Sequence, residues 1–146
     1  MYKTFKHQFS IQIRFSDLDP LNHVNNANYL TYIEQARVSY FKAMSGKDLA
    51  LNKEGIILAK ATIDFKQPIL LADEILIFTR CNRIGNKSFD LEYELVKVAA
   101  NVYVTAALAS TVLVCIDYTV NKSIPVPDAW RQKLLEFEGK ENIVTA

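Results

Sequence analysis

The stretch Ser16-Asp17-Leu18-Asp19-Pro20-Leu21-Asn22-His23-Val24-Asn25-Asn26-Ala27-Asn28-Tyr29 gathers two carboxylates, one imidazole and four carboxamides. No other part of the chain is so dense in groups for acid, base or hydrogen-bond work. Pro20 stiffens the backbone just after Asp19, and helical periodicity beginning at Tyr29 places a helix immediately downstream. A helix N-terminus offers unpaired N–H groups and a positive dipole end, which suit a developing oxyanion. A carboxylate beside it can activate water, or attack a carbonyl directly. Each group also has a plainer use. Asp19 can close a turn with Pro20, Asp17 can order or cap the loop, and His23 can hold it by hydrogen bonds.

Other chemistries lack their equipment. There is no Ser-His-Asp set, phosphate-binding glycine loop or zinc spacing. Asp17, Asp19 and His23 make a weak metal set, so no metal and no cofactor is implied. Cys81 and Cys115 lie among apolar neighbours without ligand spacing, as expected of structural thiols.

The elements that must hold this segment follow from periodicity. Phe9, Ile11, Ile13 and Phe15 alternate with polar residues and predict a strand with one buried face. Ile57, Ala59, Ala61, Ile63 and Phe65 predict a second strand. Ile75, Ile77, Thr79 and Cys81 predict a third, and Phe89, Leu91, Tyr93 and Leu95 a fourth. A fifth runs from about Val102 to Tyr118, rich in β-branched residues. Gly85-Asn86 and Ala99-Ala100-Asn101 are the expected turns.

Between the first two strands the period becomes helical, with Tyr29, Ile33, Ala36, Tyr40 and Met44 on one face. Asn25 or Asn26 can cap this helix and Ser45-Gly46 can stop it. A shorter helix is expected from Pro127-Asp128, with Trp130, Leu134 and Phe137 on one side. The order is strand, long helix, then four strands in an expected meander. One helix wrapped by a five-stranded antiparallel sheet satisfies it, an α+β hotdog layout. Residues 1–146 are expected to form one domain, with a core of about 6–127 and the short helix after it. Open sheet edges predict a homodimer or tetramer.

The pattern Asp17-Leu18-Asp19-Pro20, His23-Val24-Asn25-Asn26, Tyr29, Tyr32, Glu34 and Arg37 resembles the 4-hydroxybenzoyl-CoA thioesterase family of hotdog proteins. The resemblance extends through Gly85-Asn86-Lys87-Ser88-Phe89 to about Pro127. It implies hydrolysis of an acyl-CoA or related acyl thioester, with the second aspartate of the pair, Asp19, as the catalytic carboxylate. It also implies that the backbone near Asn26 polarises the carbonyl, and that Lys87 and Ser88 meet the nucleotide phosphates of CoA. The family's type enzyme lacks the His-Val-Asn-Asn run, so its aromatic substrate does not transfer.

The chemistry agrees with this implication. A thiolate leaving group, with a conjugate acid of pKa about 8.5 in the cysteine case, scarcely needs a general acid. In this reading His23, with Asn22 or Asn25, positions the loop, and Tyr29 belongs to the substrate cleft or core. Glu34 is the rival base or a cleft residue, but it lies about 12 Å beyond Asn26 along the helix. A plainer use is to pair with Arg37. Two alternatives stay open: an acyl-thioester hydratase or dehydratase, and a non-catalytic acyl-CoA-binding module.

Composition excludes other classes. The 146 residues are 50% hydrophobic and 23% charged, with a net charge of +1. Scattered basic residues give no nucleic-acid footprint. No apolar run approaches the roughly 20 residues of a membrane span, and the N-terminus lacks a secretory signal. A cytoplasmic setting is the expectation.

Overall fold

The structure is a computed structural model that describes residues 4–47 and 53–146. Strand β1 (His7–Ile11) leads through a 3-10 turn (Phe15–Asp17) into helix α1 (Asn26–Ser45). Four long strands follow: β2 (Glu54–Phe65), β3 (Glu74–Ile84), β4 (Ser88–Ala99) and β5 (Val102–Asp117). The short strand β6 (Lys122–Ser123), helix α2 (Asp128–Glu138) and β7 (Val144–Thr145) complete the chain. The long strands pair in the order β1-β3-β4-β5-β2, all antiparallel, and α1 packs mainly on β1 and β3. This is the hotdog layout. No described helix is long and apolar enough to cross a membrane.

Helix α1 forms where the capping residues direct. The Asn25 side chain accepts from the Ala27 N–H at 2.9 Å, and Gly46 takes the left-handed stop at φ 74°. Tyr29, Ile33, Ala36 and Tyr40 are buried against the sheet. The sheet answers with Ile75, Ile77, Thr79 and Cys81 of β3 and with Phe89, Leu91, Tyr93 and Leu95 of β4, all nearly inaccessible. Truncating any one of the buried leucines to alanine costs about 2–5 kcal/mol. Helix α2 seats Leu134 fully, with Trp130 and Phe137 half-buried beside it.

Three expectations need correction. The first strand ends at Ile11, not Phe15, whose side chain is 80% exposed. Alternation continues in the sequence, but the Asp17 carboxylate accepts the Arg14 N–H at 3.1 Å and turns the chain out of the sheet. The meander holds only for β3, β4 and β5; β2 crosses over to pair with β5 as an edge strand. The predicted inner face of β2 is therefore largely open, with Ile57 and Phe65 nearly half exposed. A bulge between Leu58 and Lys60 also breaks its alternation.

Both hairpin turns fall where expected. The β4–β5 turn holds Ala100 and Asn101 at positive φ, a two-residue geometry that matches sheet twist.

Candidate functional site

The loop between β1 and α1 is held by its own backbone. Leu18 and Val24 form an isolated antiparallel bridge, and the Asp19 N–H donates to the His23 carbonyl at 2.9 Å. The Asn22 N–H returns to the Asp19 carbonyl at 2.9 Å, closing a turn with Pro20 and Leu21 at its centre. Asn22 adopts φ 62°, which asparagine tolerates better than most residues. The Val24 N–H donates to the Ile69 carbonyl at 2.8 Å and ties this hairpin to the loop after β2.

Asp19 stands at the tip of that hairpin, half-buried. Its Oδ1 accepts from the Leu21 N–H at 2.9 Å, and no bond within the described residues occupies its Oδ2. The turn-closing use of Asp19 is thus present, and it leaves one oxygen for chemistry. His23 is half-buried and makes no side-chain hydrogen bond among the described residues; its carbonyl, not its ring, holds the loop. Asn25 is the helix cap, and Asn26 is the first helical residue, so its N–H has no acceptor within the helix.

The anchor beneath this loop is Asp17. Only 2% exposed, its carboxylate accepts from the Tyr32 hydroxyl at 2.7 Å and from the Arg14 guanidinium at 3.0 Å. Its carbonyl accepts from the Asn25 N–H at 2.9 Å and the Asn28 side chain at 2.8 Å. Burial pushes the carboxyl pKa up, but the Tyr32 hydroxyl and the Arg14 N–H and guanidinium outweigh it and hold it below the usual value. Tyr32, in turn, is raised by burial and by the adjacent charge.

The other predicted residues separate. Tyr29 is buried edge-on to Phe65 with ring centroids 4.9 Å apart, and burial raises its phenol pKa. Glu34 lies on the exposed side of α1, and its carboxylate is 3.9 Å from Arg37. Arg37 itself is buried and donates weakly to the Tyr93 hydroxyl, which bonds Thr111 at 2.8 Å. Lys87 and Ser88 sit in the β3–β4 hairpin, at the other end of the sheet. Ile11 pairs with Ile75 near one end of β3, and Ile84 closes the other. At about 3.3 Å per residue those ends are about 30 Å apart, so Lys87 and Asp19 of one chain do not share a cleft.

Two connected features were not legible beforehand. Tyr32 clamps Asp17, and their shared place in the motif was the available signal. The partnership of Arg37 with Tyr93 and Thr111 joins residues far apart in sequence, which periodicity alone cannot pair.

Residues 13–134 match the thioesterase-like superfamily. The chain is 28% identical over 133 residues to the long-chain acyl-CoA thioesterase FadM of Escherichia coli, covering 87% of this chain and 96% of that protein. It is 33% identical over 119 residues to the 1,4-dihydroxy-2-naphthoyl-CoA hydrolase of Nostoc punctiforme, covering 80% and 78%. A further match, in Bacillus subtilis, spans 65% of that relative. Among solved structures, a thioesterase from Thermus thermophilus in complex with coenzyme A and zinc superposes with a TM-score of 0.82 at 34% identity, covering 94% of this chain and 97% of that one. A hotdog fold, a pinned Asp19 loop running into a helix N-terminus and a match across most of the chain agree: the protein belongs to the thioesterase-like superfamily.

Proposed function

We propose that the protein hydrolyses acyl-CoA or related acyl thioesters, with Asp19 as its catalytic carboxylate. One observation carries the reading: a carboxylate with a free oxygen at the tip of a pinned hairpin that runs directly into the N-terminus of α1. The Asn26 N–H, with no acceptor in its own helix, is free to donate to the oxygen of the attacked carbonyl. Asp19 removes a proton from water as water adds to the carbonyl carbon, or adds to that carbon itself. In the first route the C–S bond of the adduct breaks, releasing the acid and the thiolate; in the second the thiolate leaves an acyl anhydride on Asp19, which water then cleaves to the acid and the free carboxylate.

Relatives named for thioester hydrolysis support this class of reaction. They differ in acyl group, one long-chain and one aromatic, so a substrate panel that spans both is the direct test. Asn22, His23 and Asn25 position the loop, while Tyr29 backs it from the core. For Lys87 and Ser88 to meet CoA at this site, they must come from a second copy, since one chain holds them about 30 Å away. We therefore place the complete site between copies of a cytoplasmic homo-oligomer. Glu34 then joins the cleft only from a partner.

Thiol release from a panel of short, long and aromatic acyl-CoAs tests the reading. Turnover is expected, and Asp19→Asn is expected to lose at least about 100-fold while staying folded. Retained turnover in Asp19→Asn with loss in Glu34→Gln would move the base to the helix glutamate. Loss of the conjugated absorbance of an enoyl-CoA without thiol release would instead make the protein a hydratase. Tight acyl-CoA binding with neither reaction would make it a binding module.

A further inference from the structure

A cavity of 470 Å3 opens between the last turn of α1, the start of β2 and the first turns of α2. It lies far from the Asp19 loop of its own chain: Phe41, in its wall, is fifteen residues beyond Asn26, hence about 22 Å along the helix axis. Its volume falls within the roughly 300–1,000 Å3 usual for small-molecule sites. Phe41, Met44, Phe89, Trp130 and Leu134 give it an apolar interior. Among the described residues, Lys47, Lys53 and Lys133 also line it, against a single carboxylate, Glu54.

That combination defines a chemistry. The apolar walls favour an aliphatic chain, and three ammonium groups favour an anionic end. Lysine stems can lie along the apolar wall while their heads stay at the water boundary. Lys47 makes no side-chain bond or ion pair among the described residues. Lys53 is loosely paired with Asp117 at 3.7 Å, and Lys133 donates to the Ser45 carbonyl at 3.3 Å. Among the described residues, a free carboxylate can therefore recruit Lys47 without breaking a short ion pair.

We propose that this cavity binds a free fatty carboxylate, with its chain against Phe41, Met44, Phe89, Trp130 and Leu134 and its carboxylate among Lys47, Lys53 and Lys133. The site is separate from the Asp19 loop of its own chain and does not depend on thioester hydrolysis. A protein with no turnover would still have it.

Trp130 supplies the measurement, because it is the single tryptophan of the chain. Its emission should change saturably as decanoate is added to the full-length protein. Decanol should bind at least about fivefold more weakly, the discrimination available to a few exposed charge pairs. Decyltrimethylammonium should bind more weakly still. Lys47→Gln combined with Lys133→Gln should bring decanoate down to the level of decanol, with the circular dichroism unchanged. Asp19→Asn should bind decanoate as the native chain does. Equal binding of decanol and decanoate would overturn the carboxylate assignment, and absence of a saturable change would overturn the site. Displacement of decanoate by CoA alone would make the cavity part of the thioester site and overturn its separateness. Failure of the thiol-release assay changes none of these outcomes.

Discussion

The Tyr32 hydroxyl donates to the buried carboxylate of Asp17 at 2.7 Å, coupling the second turn of α1 to the loop that carries Asp19. Fifteen residues separate the pair in sequence, and the bond fixes where the loop leaves the sheet. Tyr32→Phe removes a hydrogen bond to a charged group and is expected to cost about 1.5–3 kcal/mol. Urea unfolding at neutral pH measures it, and an unchanged midpoint would refute the anchoring role.

The same carboxylate makes a signed prediction with pH. The folded-state pKa of Asp17 lies below its ordinary value, so its contribution is complete above about pH 4 and fades as pH falls through the lowered value. The stability gap between the native chain and Asp17→Asn should narrow in that acid range. A gap that stays constant down to strongly acid pH would contradict the assigned shift.

Glu138 predicts the opposite slope. Its carboxylate, 2% exposed, accepts from the Tyr40 hydroxyl at 2.7 Å and the Cys81 N–H at 2.9 Å. Burial raises its pKa, with those donors and the Lys6 and Arg80 charges opposing. Its folded form thus binds a proton more readily, and stability falls as pH rises from the ordinary value through the raised one. Glu138→Gln should remove that slope. Glu138→Ala should cost about 1–3 kcal/mol for each donor it strands. Thermal unfolding across pH for both variants checks the pair.

The role of the Asn26 N–H can be isolated from its side chain. Asn26→Pro deletes the donor at a helix position that tolerates proline. Removing one oxyanion donor costs roughly 100- to 1000-fold in turnover. Asn26→Ala keeps the N–H and should be much milder. Equal losses in two folded variants would assign the effect to the side chain, and no loss in either would move the carbonyl grip elsewhere.

Assembly gives a last prediction. Edge strand β2 exposes Ile57 and Leu58, and α1 exposes Leu30 and Val38. Covering such a surface with a second copy predicts a homodimer, or a dimer of dimers. Light scattering should give at least twice 16.6 kDa, and Ile57→Glu with Leu58→Glu should lower it. A native chain at 16.6 kDa at micromolar concentration would remove both the assembly and the shared cleft.

The sequence by itself determined the local elements and the chemistry-bearing segment. Asn25 and Gly46 bound α1 because capping is a matter of neighbouring backbone groups, and β3 and β4 are plain in their two-residue alternation. Asp19, His23, Asn25 and Asn26 form one loop because they are neighbours in the chain. Tertiary structure decided what contiguity cannot encode. The pairing of β2 with β5, rather than with β3, leaves a strand with an apolar period open on its inner face. The Arg14 N–H ends β1 short of Phe15 because its bond to Asp17 competes with sheet pairing. Lys87 and Asp19 fall at opposite ends of the sheet because strand length and direction, set by long-range hydrogen bonding, fix their separation.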